Sequence, residues 1–94
     1  MNKFVVEFFG LPHDVTELRE MEIWLKNGAK LGDIIAELRR KIPALEGRVI
    51  RNGENRLTAP YGFNINGRFY LDDSEELQLQ DSDRVALLTL AVGG

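Results

Sequence analysis

Only one stretch of this chain carries a convincing helical period: KLGDIIAELRRKIP, residues 30–43. Leu31, Ile34, Ile35, Leu38 and Ile42 recur at helical spacing and make a single apolar stripe. Asp33 and Glu37 lie early, and Arg39, Arg40 and Lys41 lie late, as the helix dipole favours. Pro43 ends the segment. The three consecutive basic residues read as a solvated helix end. A lone helix has no second helix to bury its stripe against, so the stripe must cover a sheet.

The rest of the chain supplies that sheet. NKFVVEFFG places Phe4, Val6 and Phe8 on one side and Val5, Glu7 and Phe9 on the other, so it reads as a central strand covered on both faces or nearly so. LPHDVTELRE reads as a loop. EMEIWLKNG alternates: Met21, Ile23 and Leu25 point one way, and Glu20, Glu22, Trp24 and Lys26 point to solvent. ALEGRVIRNGENRLTAPYG has no firm pattern, though Val49 and Ile50 suit a short strand. YGFNINGRFYL reads as a hairpin, with Phe63 and Ile65 on one face, Asn66-Gly67 at the turn, and Phe69 and Leu71 on the return strand. In the acidic stretch DDSEELQLQDSD, Leu77 and Leu79 dip toward the core. RVALLTLAV, apolar on both faces, reads as a second buried central strand.

The first and last strands are therefore natural neighbours at the centre. If the first two strands form an antiparallel hairpin and the helix crosses back, the last strand runs parallel beside the first. That arrangement is an α+β fold, the β-grasp or ubiquitin-like roll: a mixed sheet with central parallel first and last strands and one main covering helix. At 94 residues the chain forms one domain, residues 1–92, with Gly93 and Gly94 projecting as a tail.

Composition narrows the chemistry. There is no cysteine and a single histidine, His13, so neither a thiolate nucleophile nor a Cys- or His-cluster metal site is available. His13, in a Pro/Asp loop, reads as a surface turn residue. The net charge of −3 argues against a nucleic-acid partner. No segment has the length of a membrane span, and the N-terminus lacks the features of a secretory leader, so a cytoplasmic location is expected. What remains is the last carboxylate. Glycine has no Cβ, so Gly93 and Gly94 suit a narrow channel and leave the terminal carbon unhindered for adenylation.

With this order of elements, the chain resembles the MoaD/ThiS-like ubiquitin-fold sulfur carriers, and among them MoaD, the small subunit of molybdopterin synthase. The resemblance rests on VVEFFG, LGDIIAELRRKIPALEGRVI, YGFNINGRF, LQLQDSDRVALL and the final GG. ThiS-like carriers are typically shorter, so residues 48–62 favour the MoaD side. The resemblance implies that Gly94 is adenylated by a ubiquitin-activating-type adenylyltransferase (MoeB-like) that uses ATP, and then thiocarboxylated. Gly93 keeps the channel clear. The sulfur then passes to a precursor held by a molybdopterin synthase large subunit (MoaE-like). The carrier is a co-substrate, catalyses nothing itself and binds no cofactor. MoaD tails often carry a proline before the glycines; this chain has LTLAVGG, so its last strand is expected to extend further.

Three other readings use the same residues. A ubiquitin-like modifier, or a carrier for another sulfur pathway, shares the activated Gly94. A ubiquitin-like interaction module would bind through an apolar sheet patch, for which Trp24, Phe63, Phe69 and Tyr70 are candidates. An enzyme has the least support, because no nucleophile or ligand set surrounds His13. Six of the fifteen acids fall between Asp72 and Asp83, and Asp72 and Asp73 are expected to steer a basic activating partner.

Overall fold

The computed structural model describes residues 1–70, 77, 79, 80 and 83–89. Strand β1 (Asn2–Phe9) is followed by β2 (Glu20–Leu25), helix α1 (Leu31–Lys41), a short 3-10 turn (Pro43–Leu45), β3 (Tyr61–Ile65), β4 (Arg68–Tyr70) and β5 (Arg84–Thr89). The sheet order is β2-β1-β5-β3-β4. β1 pairs antiparallel with β2 and parallel with β5, and β3 pairs antiparallel with both β5 and β4. The expected mixed sheet, with the first and last strands parallel at its centre, is the architecture of the chain.

The helix forms where its stripe demands. Leu31, Ile34, Ile35 and Leu38 are buried, and Ile42 caps the end with its N–H donating to the Leu38 carbonyl at 2.8 Å. At the other end the Asp33 carboxylate accepts from the Lys30 backbone N–H at 2.8 Å, satisfying a donor that precedes the first turn. Phe4, Val6 and Phe8 of β1, Ile23 and Leu25 of β2, Phe63 and Ile65 of β3, Tyr70 of β4 and Val85 and Leu87 of β5 make up the sheet's share of the core.

One helix covers one face only, and that corrects the reading of both central strands as buried on two sides. The opposite face carries Val5, Glu7 and Phe9 of β1 in register with Arg84, Ala86 and Leu88 of β5. Phe9 is 51% exposed there. An unbroken apolar run reflects, in this fold, one buried row and one half-open row.

The hairpin also differs in parity. Asn66 and Gly67 take positive φ values of 54° and 85°, giving a two-residue turn that sets Phe63 opposite Tyr70 and Asn64 opposite Phe69. Tyr70, rather than Phe69, therefore returns to the core face. Phe63, considered for an exposed patch, is a fully buried core residue, and Tyr70 is only 7% exposed. Val49 and Ile50 are buried but form no strand. The N–H groups of Arg48, Val49 and Ile50 all turn back on the Leu45 carbonyl, leaving Ile50 only isolated bridges to Glu46 and Leu57. Leu79 is buried and Leu77 packs against the core. Residues 90–92, expected to continue the last strand, lie outside the described residues.

If the faces are as assigned, Phe63→Ala lowers the unfolding free energy by about 3–5 kcal/mol and Phe69→Ala by less than about 1 kcal/mol. Urea denaturation reads both, and equal losses would overturn the assignment.

Candidate functional site

The topology decides where chemistry can occur. β5 enters the sheet at Arg84 beside Val5, and its last described residue, Thr89, lies opposite Tyr61. Because β1 runs parallel, it ends at the same edge of the sheet, with Phe9 opposite Leu88. The described end of β5 is thus flanked by the end of β1 and by the start of β3.

On the face without a helix, polar and apolar side chains are segregated. Toward β2 the residues are charged and paired across strands: Lys3 Nζ lies 3.0 Å from Glu22, and Arg84 pairs with Glu7. Toward the exit of β5 the register brings Phe9, Leu88 and Ala86 together, and Phe69, 56% exposed, adjoins this row through Asn64. Trp24, 54% exposed, stands apart on β2 beside Lys3. This open apolar strip, beside the last described residues of β5, is the candidate site.

Of the expected site residues, Phe69 belongs to the strip and Phe63 lies beneath the sheet in the core. Gly93, Gly94, Asp72 and Asp73 lie outside the described residues. Phe9 and Leu88 were missed. Their signal was present in the second apolar row of each central strand, which was assigned to burial.

Elsewhere the polar groups are structural. Arg39 is a clamp rather than a solvated end. Its guanidinium donates to Asn55 Oδ1 at 3.2 Å and to the carbonyls of Arg51 and Glu54, and its Nε lies 3.0 Å from Glu46 Oε2. The same Glu46 oxygen accepts from the Gly53 N–H at 2.9 Å, so this charged pair closes the loop over residues 46–57. Arg48 reaches Asp14 at 3.0 Å and ties that region to the β1–β2 loop. The Arg48 hydrogen bond, and then its charge, hold the Asp14 carboxyl below its ordinary pKa. His13 is exposed and lines an open cleft of about 310 Å3 with Gly10, Thr16, Glu17 and Arg19. Among the described residues no group of three His, Asp or Glu side chains is placed to hold a metal ion. Among the same residues no helix is long and apolar enough to cross a membrane.

The family whose model matches is the ThiS family, over residues 6–94, a span that begins in β1 and includes both terminal glycines. The chain belongs to the ThiS family. No curated protein matches it. Among solved structures, SAMP1 from Haloferax volcanii is 23% identical, with 98% of this chain and 99% of that one covered and a TM-score of 0.77. A putative molybdopterin converting factor, subunit 1, from Pyrococcus furiosus is 26% identical, with 95% and 98% covered and a TM-score of 0.70. Small archaeal modifier protein 1 from Methanosarcina acetivorans is 24% identical, with 100% and 98% covered and a TM-score of 0.70. These likenesses show the ubiquitin-like β-grasp. This ThiS-family chain is thus a small ubiquitin-fold carrier in type.

The depressed Asp14 pKa has a defined sign. A carboxyl whose folded pKa is lowered contributes stability above its unfolded pKa, and that contribution is lost as pH falls through the folded value. The urea midpoint of the wild type therefore exceeds that of Asp14→Asn at pH 7, and the difference disappears as the pH is taken well below about 4. A difference independent of pH would show that the Arg48 pair is not its source.

Proposed function

We propose that the protein is a sulfur carrier whose Gly94 carboxylate is the reacting group, acting in formation of the molybdopterin dithiolene. The observation that carries this is the family match extending through Gly93 and Gly94 in a chain whose central strand leads toward them. The likeness to the molybdopterin converting factor subunit supports this pathway over other sulfur acceptors.

In this reading a ubiquitin-activating-type adenylyltransferase binds the strip of Phe9, Leu88, Ala86 and Phe69. The Gly94 carboxylate attacks the α-phosphorus of ATP, pyrophosphate leaves, and an acyl-adenylate forms. A hydrosulfide ion supplied through the partner then attacks the acyl carbon. The C–O bond to AMP breaks, AMP carries away the electron pair, and loss of the S–H proton leaves the thiocarboxylate. The molybdopterin synthase large subunit holds the precursor that takes the sulfur. Gly93 and Gly94 present no side chain to either site. Asp72 and Asp73 contribute negative charge that speeds encounter with a basic partner.

The likeness to small archaeal modifier proteins favours a second reading. The same acyl-adenylate, met by a lysine amine instead of sulfur, forms an isopeptide bond and releases AMP. The two uses share every step up to the nucleophile.

Intact mass after incubation with ATP, a sulfur source and an extract of the protein's own organism separates them. A shift matching one oxygen-to-sulfur exchange at Gly94 is the expected result. Larger adducts on other proteins would establish the modifier instead. Gly94→Ala is expected to keep the wild-type urea midpoint and abolish the shift; a charged Gly94→Ala protein would refute the tail mechanism.

A further inference from the structure

Gly10 occupies the point where β1 and β5 part. The two strands run side by side as far as Phe9 and Leu88. Gly10 then takes φ +75° and turns the chain into the β1–β2 loop. That loop is held shut by the Phe8 N–H donating to the Arg19 carbonyl at 2.8 Å. As it turns, the Gly10 backbone lies directly against Thr89. A Cβ at Gly10 would sit 2.6 Å from Thr89 Cγ2 and 3.6 Å from Thr89 Cβ. Ordinary carbon contacts begin near 3.4 Å, so a side chain here requires Thr89 or the loop to move by about 1 Å.

We infer that Gly10 is a positioning residue for the reacting tail. It lets the loop close on Thr89 and so fixes the position from which residues 90–94 start. The inference rests on the carrier reading above. The partner grips the body of the carrier through the apolar strip, while chemistry takes place at a carboxylate a fixed number of residues beyond Thr89. Docking therefore depends on the strip, and the alignment of the acyl carbon with ATP depends on where the tail begins. Small displacements of a reacting group affect the chemical step far more than the binding step.

The structure supplies its own control. Gly28 also has a positive φ, +77°, but a Cβ there meets nothing within 4 Å. Gly28→Ala thus imposes similar backbone strain far from β5, without the collision. ATP–pyrophosphate exchange, catalysed by the activating enzyme of the same organism, reads adenylation of Gly94.

For Gly10→Ala, kcat is expected to fall about ten- to a hundredfold while KM for the carrier changes less than about twofold. Gly28→Ala should change neither, even where its urea midpoint falls as far. Adding Thr89→Ser to Gly10→Ala removes Cγ2, keeps the hydroxyl, and should restore most of kcat. If Gly10→Ala does not fold, Thr89→Ile presses on the same gap from the other side and should lower kcat in the same way. Equal kinetics for Gly10→Ala and Gly28→Ala, with the wild type active, would overturn the positioning role and leave the carrier reading standing. No exchange with the wild type, by an enzyme active on another carrier, would overturn both.

Discussion

The parallel ladder between β1 and β5 joins the two ends of the chain, and the remaining architecture depends on it. Without it, the β1–β2 hairpin and the β3–β4 hairpin would be separate pieces, each with one apolar face and neither stable alone in water. With it, Val6 and Val85 lie side by side, Phe4, Phe8 and Leu87 extend the same floor, and the helix stripe has a continuous surface to cover. Closing so long a loop costs chain entropy before any contact compensates it, so the ladder is favoured only because it completes the core. Its direction matters as much as its existence. A parallel last strand delivers Leu88 and Thr89 to the edge where β1 finishes, beside Phe9 and Gly10.

Covering a five-stranded sheet with a single helix leaves the other face to water. A face of that kind is normally polar, and here it is so only toward β2, where Lys3 pairs with Glu22 and Glu7 with Arg84. Such exposed pairs contribute little stability; their effect is to keep that half of the face solvated and unattractive to apolar partners. The other half keeps Phe9, Leu88 and Ala86, with Phe69 beside them, next to the chain exit. An exposed apolar patch is a cost to a solitary protein and an asset to one that spends its working life docked. The ion pairs thus confine the apolar strip to the half of the face beside Thr89.

Much of this was legible from residue order. The stripe Leu31–Ile34–Ile35–Leu38 required a sheet, and the alternation of Met21, Ile23 and Leu25 marked a strand with one face to solvent. The apolar first and last strands implied central neighbours. The errors have a common physical origin. Period-2 reasoning identifies two faces but does not say which are covered, so the outer row of Val5, Phe9, Ala86 and Leu88 was read as core. A one-residue ambiguity in the hairpin return exchanged Phe69 for Tyr70, because side-chain direction reverses at every step along a strand. Arg39 gave no periodic signal at all. Its partners are mostly carbonyls and side chains of a loop far along the chain, and such contacts exist only once the tertiary fold does. The closeness of Gly10 to Thr89 follows from strand order, which no local pattern contains.

The division of labour within the molecule explains how so little sequence suffices. Relatives of 23–26% identity keep TM-scores of 0.70–0.77, so the fold tolerates replacement of most side chains. Cores of this kind accept many apolar combinations of suitable volume. What the proposed carrier role would hold fixed is geometric: the parallel register of β1 and β5, the close approach at Gly10, and an unhindered end to the chain. Chemical identity then resides in the partner. Under the proposed carrier reading, sulfur or an amine would displace AMP from the acyl-adenylate by the same addition and elimination, and the choice between them would fall to the bound partner. Under that proposal, selection for a new acceptor would act first on Phe9, Leu88, Ala86 and Phe69, which lie off the buried rows of the sheet.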